Sequence, residues 1–132
     1  MTHEYTLLVG GTIIPGAGPD AEAIAWAHGV ILAIGSRSEV LAISRGDSTL
    51  FDLAGACVIP LDERAEARWP APSRLEVGGP ADLAVLKVDP RRREQELTAP
   101  GLETLALVRG GRVVTGALSG RGRGPTNAGP AP

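Results

Sequence analysis

The stretch Ala23-Ile24-Ala25-Trp26-Ala27-His28-Gly29-Val30-Ile31-Leu32-Ala33-Ile34 decides how this chain is read. Two apolar runs, 23–27 and 30–34, are joined by His28-Gly29, and glycine tolerates the positive φ that a tight two-residue hairpin turn demands. The stretch predicts a β-hairpin. Upstream, Tyr5 to Val9 and Thr12 to Ile14 are short runs separated by Gly10-Gly11, the pattern of two short strands or of one strand with a bulge; a loop, Pro15 to Asp20, follows. Downstream, Ser36 is placed to cap a short helix, with Glu39 three residues on to complete a capping box, Val40, Leu41 and Ile43 as its apolar contacts and Gly46 as its stop. Runs Thr49 to Leu53 and Cys57 to Ile59 flank Ala54-Gly55 and close the first half at Pro60.

Residues 61–73 differ in character. Asp62, Glu63, Arg64, Glu66 and Arg68 are charged, and Trp69-Pro70-Ala71-Pro72 breaks any helix, so the segment reads as a connector. Beyond it, Gly78-Gly79-Pro80 is a turn, Ala81 to Val88 a strand, and Asp89-Pro90 opens a charged excursion through Arg91, Arg92, Arg93, Glu94 and Glu96. Leu105 to Val108 and Arg112 to Thr115 bracket Gly110-Gly111 as a second hairpin. After Gly116 the chain is rich in glycine and proline and poor in large apolar groups, which predicts a disordered tail over 117–132.

Many short strands with glycine turns between them predict a mainly β chain, a small β-sandwich with one or two short helices. A parallel α/β fold is disfavoured, because no segment keeps helical periodicity for a dozen residues. At 132 residues, 43% of them hydrophobic, the chain fits one domain: residues 1–116 as a single sandwich built from halves 5–60 and 74–116, joined by 61–73. Thirteen Lys and Arg against fifteen Asp and Glu give a net charge of −2, which argues against a nucleic-acid partner or an anionic membrane surface. No secretory signal is read at the start, and the longest mostly apolar run, Ala21 to Gly35, is interrupted by Glu22, His28 and Gly29. Two histidines and a single cysteine supply few metal ligands, and the expectation is a cytoplasmic chain without an internal disulfide.

Residues 5–60 resemble the N-terminal part of the amidohydrolase superfamily, the imidazolonepropionase-like, dihydroorotase and cytosine deaminase relatives among metal-dependent hydrolases. Leu7-Leu8-Val9-Gly10-Gly11-Thr12-Ile13-Ile14 resembles their opening strand, 28–35 their Asp-Gly-x-Ile-x-x-Ile-Gly hairpin, and 52–60 the strand that enters their barrel. Residues 74–116 resemble the C-terminal part: Leu75-Glu76-Val77-Gly78-Gly79-Pro80-Ala81-Asp82-Leu83-Ala84-Val85-Leu86 resembles their Gly-x-x-Ala-Asp-Leu-x-x-Leu strand and 108–114 their closing hairpin. The resemblance implies a composite β-sandwich domain, which in those enzymes stands beside a metal-binding (β/α)₈ barrel inserted between the halves. Such a barrel occupies roughly 250 residues. Here only 61–73 lie between the halves, and a connector of that length spans at most roughly 45 Å. The family's Pro-Gly-x-x-Asp-x-His-x-His should begin at Pro60, where the chain reads Pro60-Leu61-Asp62-Glu63-Arg64-Ala65-Glu66. No metal ligand, cofactor site or catalytic residue is carried over.

Each remaining candidate has a plainer reading. His3 stands beside the start of the chain, and His28 is a solvent-facing turn residue. Cys57 is a small buried hydrophobe rather than a nucleophile. Asp82 is expected to accept backbone amide hydrogens from the Gly78-Gly79 turn. Arg45-Gly46-Asp47 reads as a helix-ending turn rather than an adhesion motif, Arg91-Arg92-Arg93 as a solvated loop, and Arg121-Gly122-Arg123-Gly124 as tail rather than an RNA contact. A sandwich of the kind this resemblance implies is expected to keep exposed apolar area where a barrel would pack, with Trp26 and Trp69 as the candidates, covered either by the folded-back connector with Trp69 and its prolines or by a second chain.

The function expected is that of a stand-alone, non-catalytic binding or self-association module, with a homodimer as its assembly. The alternative is an accessory subunit of a split metal-dependent hydrolase acting on non-peptide C–N bonds, its barrel on a separately encoded chain. A remnant without a selected role is a third reading.

Overall fold

The computed structural model describes residues 5–16, 18–43, 48–61, 67–69, 73–92, 97–98, 104–116, 118 and 121–123. Strands β1 (Tyr5–Val9), β3 (Ala23–Ala27), β4 (Val30–Gly35), β5 (Ser48–Asp52) and β12 (Arg121–Arg123) form one sheet in the order β12-β5-β1-β3-β4. Strands β2 (Thr12–Ile13), β6 (Cys57–Pro60), β8 (Leu83–Leu86), β10 (Thr104–Arg109) and β11 (Arg112–Gly116) form the second, in the order β11-β10-β8-β6-β2. A small pair, β7 (Arg68–Trp69) with β9 (Leu97–Thr98), and one α-helix, α1 (Arg37–Ile43), complete the set with a 3₁₀ turn at Pro90–Arg92. The mainly β reading stands.

Period-two alternation sorts side chains into layers. Leu8, Ile24, Trp26 and Ile31 of the first sheet meet Ile13, Val58, Leu83, Val85, Ala106 and Val108 of the second in the central core. The intervening residues Leu7, Val9, Ala23 and Ala25 face the other way and are covered by Val40 of α1. The capping box forms as the sequence predicts. Ser36 N donates to Glu39 Oε1 at 2.9 Å and Glu39 N donates to Ser36 Oγ at 3.2 Å; the Ser36 amide, with a smaller contribution from its hydroxyl, holds the Glu39 carboxyl below the usual carboxylate range. The proposed stop at Gly46 lies outside the described residues.

The two halves join at β6 and β8, which pair antiparallel with Val58 opposite Val85 and Ile59 opposite Ala84. Both strands are buried on both faces. On the outer face, Ile14, Cys57, Ile59, Leu61, Ala84 and Leu86 form a separate cluster in which Ala67 of the connector is buried. The connector also begins and ends in one place, for the Ser73 hydroxyl donates to the Leu61 carbonyl oxygen.

Two features depart from the sequence reading. Trp26, expected as exposed surface, is 3% exposed in the central core. Its orientation follows from a bulge: Trp26 pairs with Ile31 and Ala25 with Ala33, so Leu32 has no cross-strand partner and Ile31 and Ile34 both reach the core side. Second, within the segment expected to be a disordered tail, Leu118 packs on the core and Arg121–Arg123 pairs antiparallel with β5. An open edge of β5 offers backbone partners that a composition count does not see. Of Trp69, only the backbone pairing with Leu97 is described.

Gly10-Gly11 separates two strands that belong to different sheets. β1 runs parallel to β5 and β2 parallel to β6, so two neighbouring chains cross from sheet to sheet side by side. The crossing is held by Leu53 N to Val9 O at 2.7 Å, Gly55 N to Gly10 O at 2.8 Å and Thr12 N to Ala56 O at 3.1 Å. A Cβ at Gly10 would run into Asp52 Oδ1, and one at Gly11 into Ala56 O and, at 2.8 Å, into Leu53 Cβ. Gly55 has φ +87° but open space around it. Gly11→Ala should therefore cost about 2–3 kcal/mol, the range of overpacking, and Gly55→Ala only about 1 kcal/mol of backbone strain; urea denaturation of the two variants checks the order.

Candidate functional site

The residues singled out for chemistry are distributed over three places. Around the hairpin tips, His28 and Gly29 take φ of +54° and +77°, and Gly110 and Gly111 take +58° and +80°. Both turns thus have the two positive φ values that mirror-image turns require. The tips touch: a Cβ on Gly29 would lie 3.0 Å from Gly110 O, and one on Gly111 would lie 3.1 Å from Gly29 Cα and from Trp26 Nε1. Trp26 Nε1 donates to Gly111 O at 3.1 Å, Ala81 N donates to Gly29 O at 2.9 Å, and Gly111 N donates to Ala81 O at 3.0 Å. Asp82 Oδ1 accepts from Gly110 N at 2.7 Å.

Asp82 was expected to serve the Gly78-Gly79 turn, and its partner is instead the tip of the second hairpin. The 78–79 turn is held by other bonds, Gly78 N to Ile31 O and Ile31 N to Gly79 O, both 2.9 Å. The nature of the interaction was legible and its address was not, because β8 and β10 become neighbours only through their pairing. His28 is exposed in its turn, as expected.

Cys57 lies in the outer cluster at 1% exposure. Burial, with a smaller contribution from Asp89, pushes its thiol up to about 12. A thiol that keeps its proton is a poor nucleophile.

The third place is a charge cluster missed in the sequence. Arg91 donates Nη1 to Asp20 Oδ1 at 2.9 Å and Nη2 to Asp20 Oδ2 at 2.8 Å, and its Nε and Nη2 reach Asp89 at 3.1 and 2.9 Å. The bidentate fork ties a loop of the first half to a loop of the second. Its members are partly exposed, so it orients the loops more than it stabilises them. The only clue in the sequence was the unlike charge in each loop. Arg91 is therefore engaged rather than simply solvated; Arg93, His3 and Arg45-Gly46-Asp47 lie outside the described residues. Of Arg121-Gly122-Arg123, the backbone pairing with β5 is what is described.

Among the described residues, no three His, Cys, Asp or Glu side chains gather where they could hold a metal ion. Nor is any described helix long and apolar enough to cross a membrane. The arrangement supplies hydrogen bonds and packing between two halves of a sandwich, and the three candidate places contribute to that joint.

Two outcomes follow. Asp82→Ala should lower stability by about 1 kcal/mol and Asp82→Asn by much less, since an amide oxygen still accepts from Gly110 N; thermal unfolding distinguishes them. For Cys57, the unfolded thiol ionises near pH ~8.5 and the folded one only near 12, so the unfolded state releases its proton first and stability falls as pH rises through that interval. Denaturant midpoints measured from about pH 8 to about pH 10 should fall more steeply for the wild type than for Cys57→Ala.

No family model matches the chain, and no curated protein matches it. Among solved structures, the chain is similar to enamidase, described as a new member of the amidohydrolase superfamily, at 33% identity over 44% of this chain and 16% of that one, with a TM-score of 0.37. It is also similar to an uncharacterised metal-dependent hydrolase from Pyrococcus horikoshii (20% identity, 48% and 14% coverage, TM-score 0.38) and to the ochratoxinase of A. niger (16% identity, 51% and 17% coverage, TM-score 0.31). The chain spans about a sixth of the length of these proteins. Over about half of its own length, this chain is similar to part of an amidohydrolase-superfamily enzyme.

Proposed function

We propose that this chain is a non-catalytic β-sandwich module related to the amidohydrolases, of the composite type seen in imidazolonepropionase-like enzymes, and that it acts in the cytoplasm by binding or self-association. One observation carries this reading. The connector that stands where a barrel would be inserted leaves and re-enters the sandwich at one point, with Ser73 bonded to Leu61, and its Ala67 is buried on the outer face of the second sheet. The two halves pair strand to strand at β6 and β8, which supports a module that folds without an inserted domain. The candidate acids and thiol support the same reading, since Asp82 is bonded to a turn amide and Cys57 is buried with its proton.

Elemental analysis of the purified chain after growth in metal-supplemented medium is expected to find neither zinc nor iron in stoichiometric amount, and added zinc should leave the unfolding temperature unchanged. A tightly held equimolar metal overturns the non-catalytic reading. Affinity capture from native lysate that returns a barrel-containing hydrolase in equal amount would establish the split-enzyme arrangement instead.

A further inference from the structure

Five of the described large apolar side chains that are exposed lie on the outer strands of the two sheets or on the strand beside one of them: Val30 and Leu32 on β4, Leu105 on β10, and Val113 and Val114 on β11. On β4 the free edge is already occupied. Ile31 exchanges hydrogen bonds with Gly78 and Gly79, and Val30 bridges to Pro80. β11 is different. All five of its residues are exposed, and it is the end strand of its sheet, bonded to β10 on one side.

The register concentrates apolar surface there. Val108 pairs with Val113 and Leu107 with Thr115, which leaves Val114 as the extra residue of a bulge, 55% exposed. On β10, Thr104 pairs with Leu86 and Ala106 with Val85, which leaves Leu105 as a second extra residue, 42% exposed. Strand edges are ordinarily protected by lysine, proline or inward charge. β11, Arg112-Val113-Val114-Thr115-Gly116, carries one charge, at its turn end.

Charge placement points to the occupant. The end strand of the first sheet, β12, reads Arg121-Gly122-Arg123, and antiparallel pairing of two copies about Gly122 would set arginine against arginine. Two copies of β11 laid antiparallel about Val114 set Arg112 against Gly116 and valine against threonine, so no like charges face each other. An isologous two-fold contact needs this self-complementarity.

We propose that this chain self-associates through the β11 edge, two copies meeting antiparallel about Val114 with Val113 and Leu105 beside it. The inference rests on the binding-module reading and names its partner as a second copy. A five-residue edge with one flanking side chain buries less than the roughly 1,200 Å² of a stable interface, so the dimer is weak and concentration-dependent.

Sedimentation equilibrium of the full chain from roughly ten micromolar to roughly one millimolar, the range in which weak interfaces dissociate, is expected to show the mass rising toward twice that of one chain. Val114→Lys should weaken association at least about tenfold, while Val77→Lys, at another exposed valine off this edge, should leave it unchanged; circular dichroism checks that both variants fold. Val114→Cys in oxidised glutathione should give a disulfide-linked dimer, and Val77→Cys should not. One-chain mass at every concentration, equal loss with Val77→Lys, or retained association of Val114→Lys overturns the proposal. A metal-free chain that stays monomeric removes this interface and leaves the non-catalytic reading standing, whereas an equimolar metal removes that reading whatever the mass.

Discussion

Hydrogen bonds between Cys57–Pro60 and Leu83–Leu86 run between strands buried on both faces, with the central core on one side and the outer cluster that includes Ala67 on the other. An amide or carbonyl left unpaired there would lose its solvation without return, at roughly 1–3 kcal/mol each. The pairing also adds the strands β8, β10 and β11 of the second half to a sheet that β2 and β6 of the first half begin. The other devices that join the halves depend on this register: the Arg91–Asp20 fork, the touching hairpin tips, and the bond from Gly110 N to Asp82.

Burial on both faces explains the composition of these strands. Val58 and Val85 fill the central core, while Cys57, Ile59, Ala84 and Leu86 fill the outer cluster, so neither strand can alternate polar with apolar. It also gives the connector a physical task. Ala67 is packed into the apolar outer cluster, and Ser73 is closed onto Leu61.

Local chemistry was legible in the sequence. His28-Gly29 and Gly110-Gly111 specify turns within four residues of chain, and Ser36 and Glu39 specify a cap within one helical turn, so each forms where read. What escaped was determined at long range. The parallel pairing of β1 with β5 and β2 with β6, the exchange of Asp82's partner for Gly110 and the strand at 121–123 all depend on which strands become neighbours. Trp26 shows the same limit at shorter range, since one unpaired residue, Leu32, fixes which face of the hairpin looks inward.

The strand order also sets a timetable. β6 leaves the ribosome before β8, and at roughly 5–20 residues per second the interval between them lasts roughly one to five seconds. Throughout it, Cys57-Val58-Ile59 is an uncovered apolar edge with no proline until Pro60. The joint that closes the finished sheet therefore leaves its first strand uncovered on the nascent chain: slow elongation between the emergence of β6 and that of β8 prolongs the exposure, and rapid elongation shortens it.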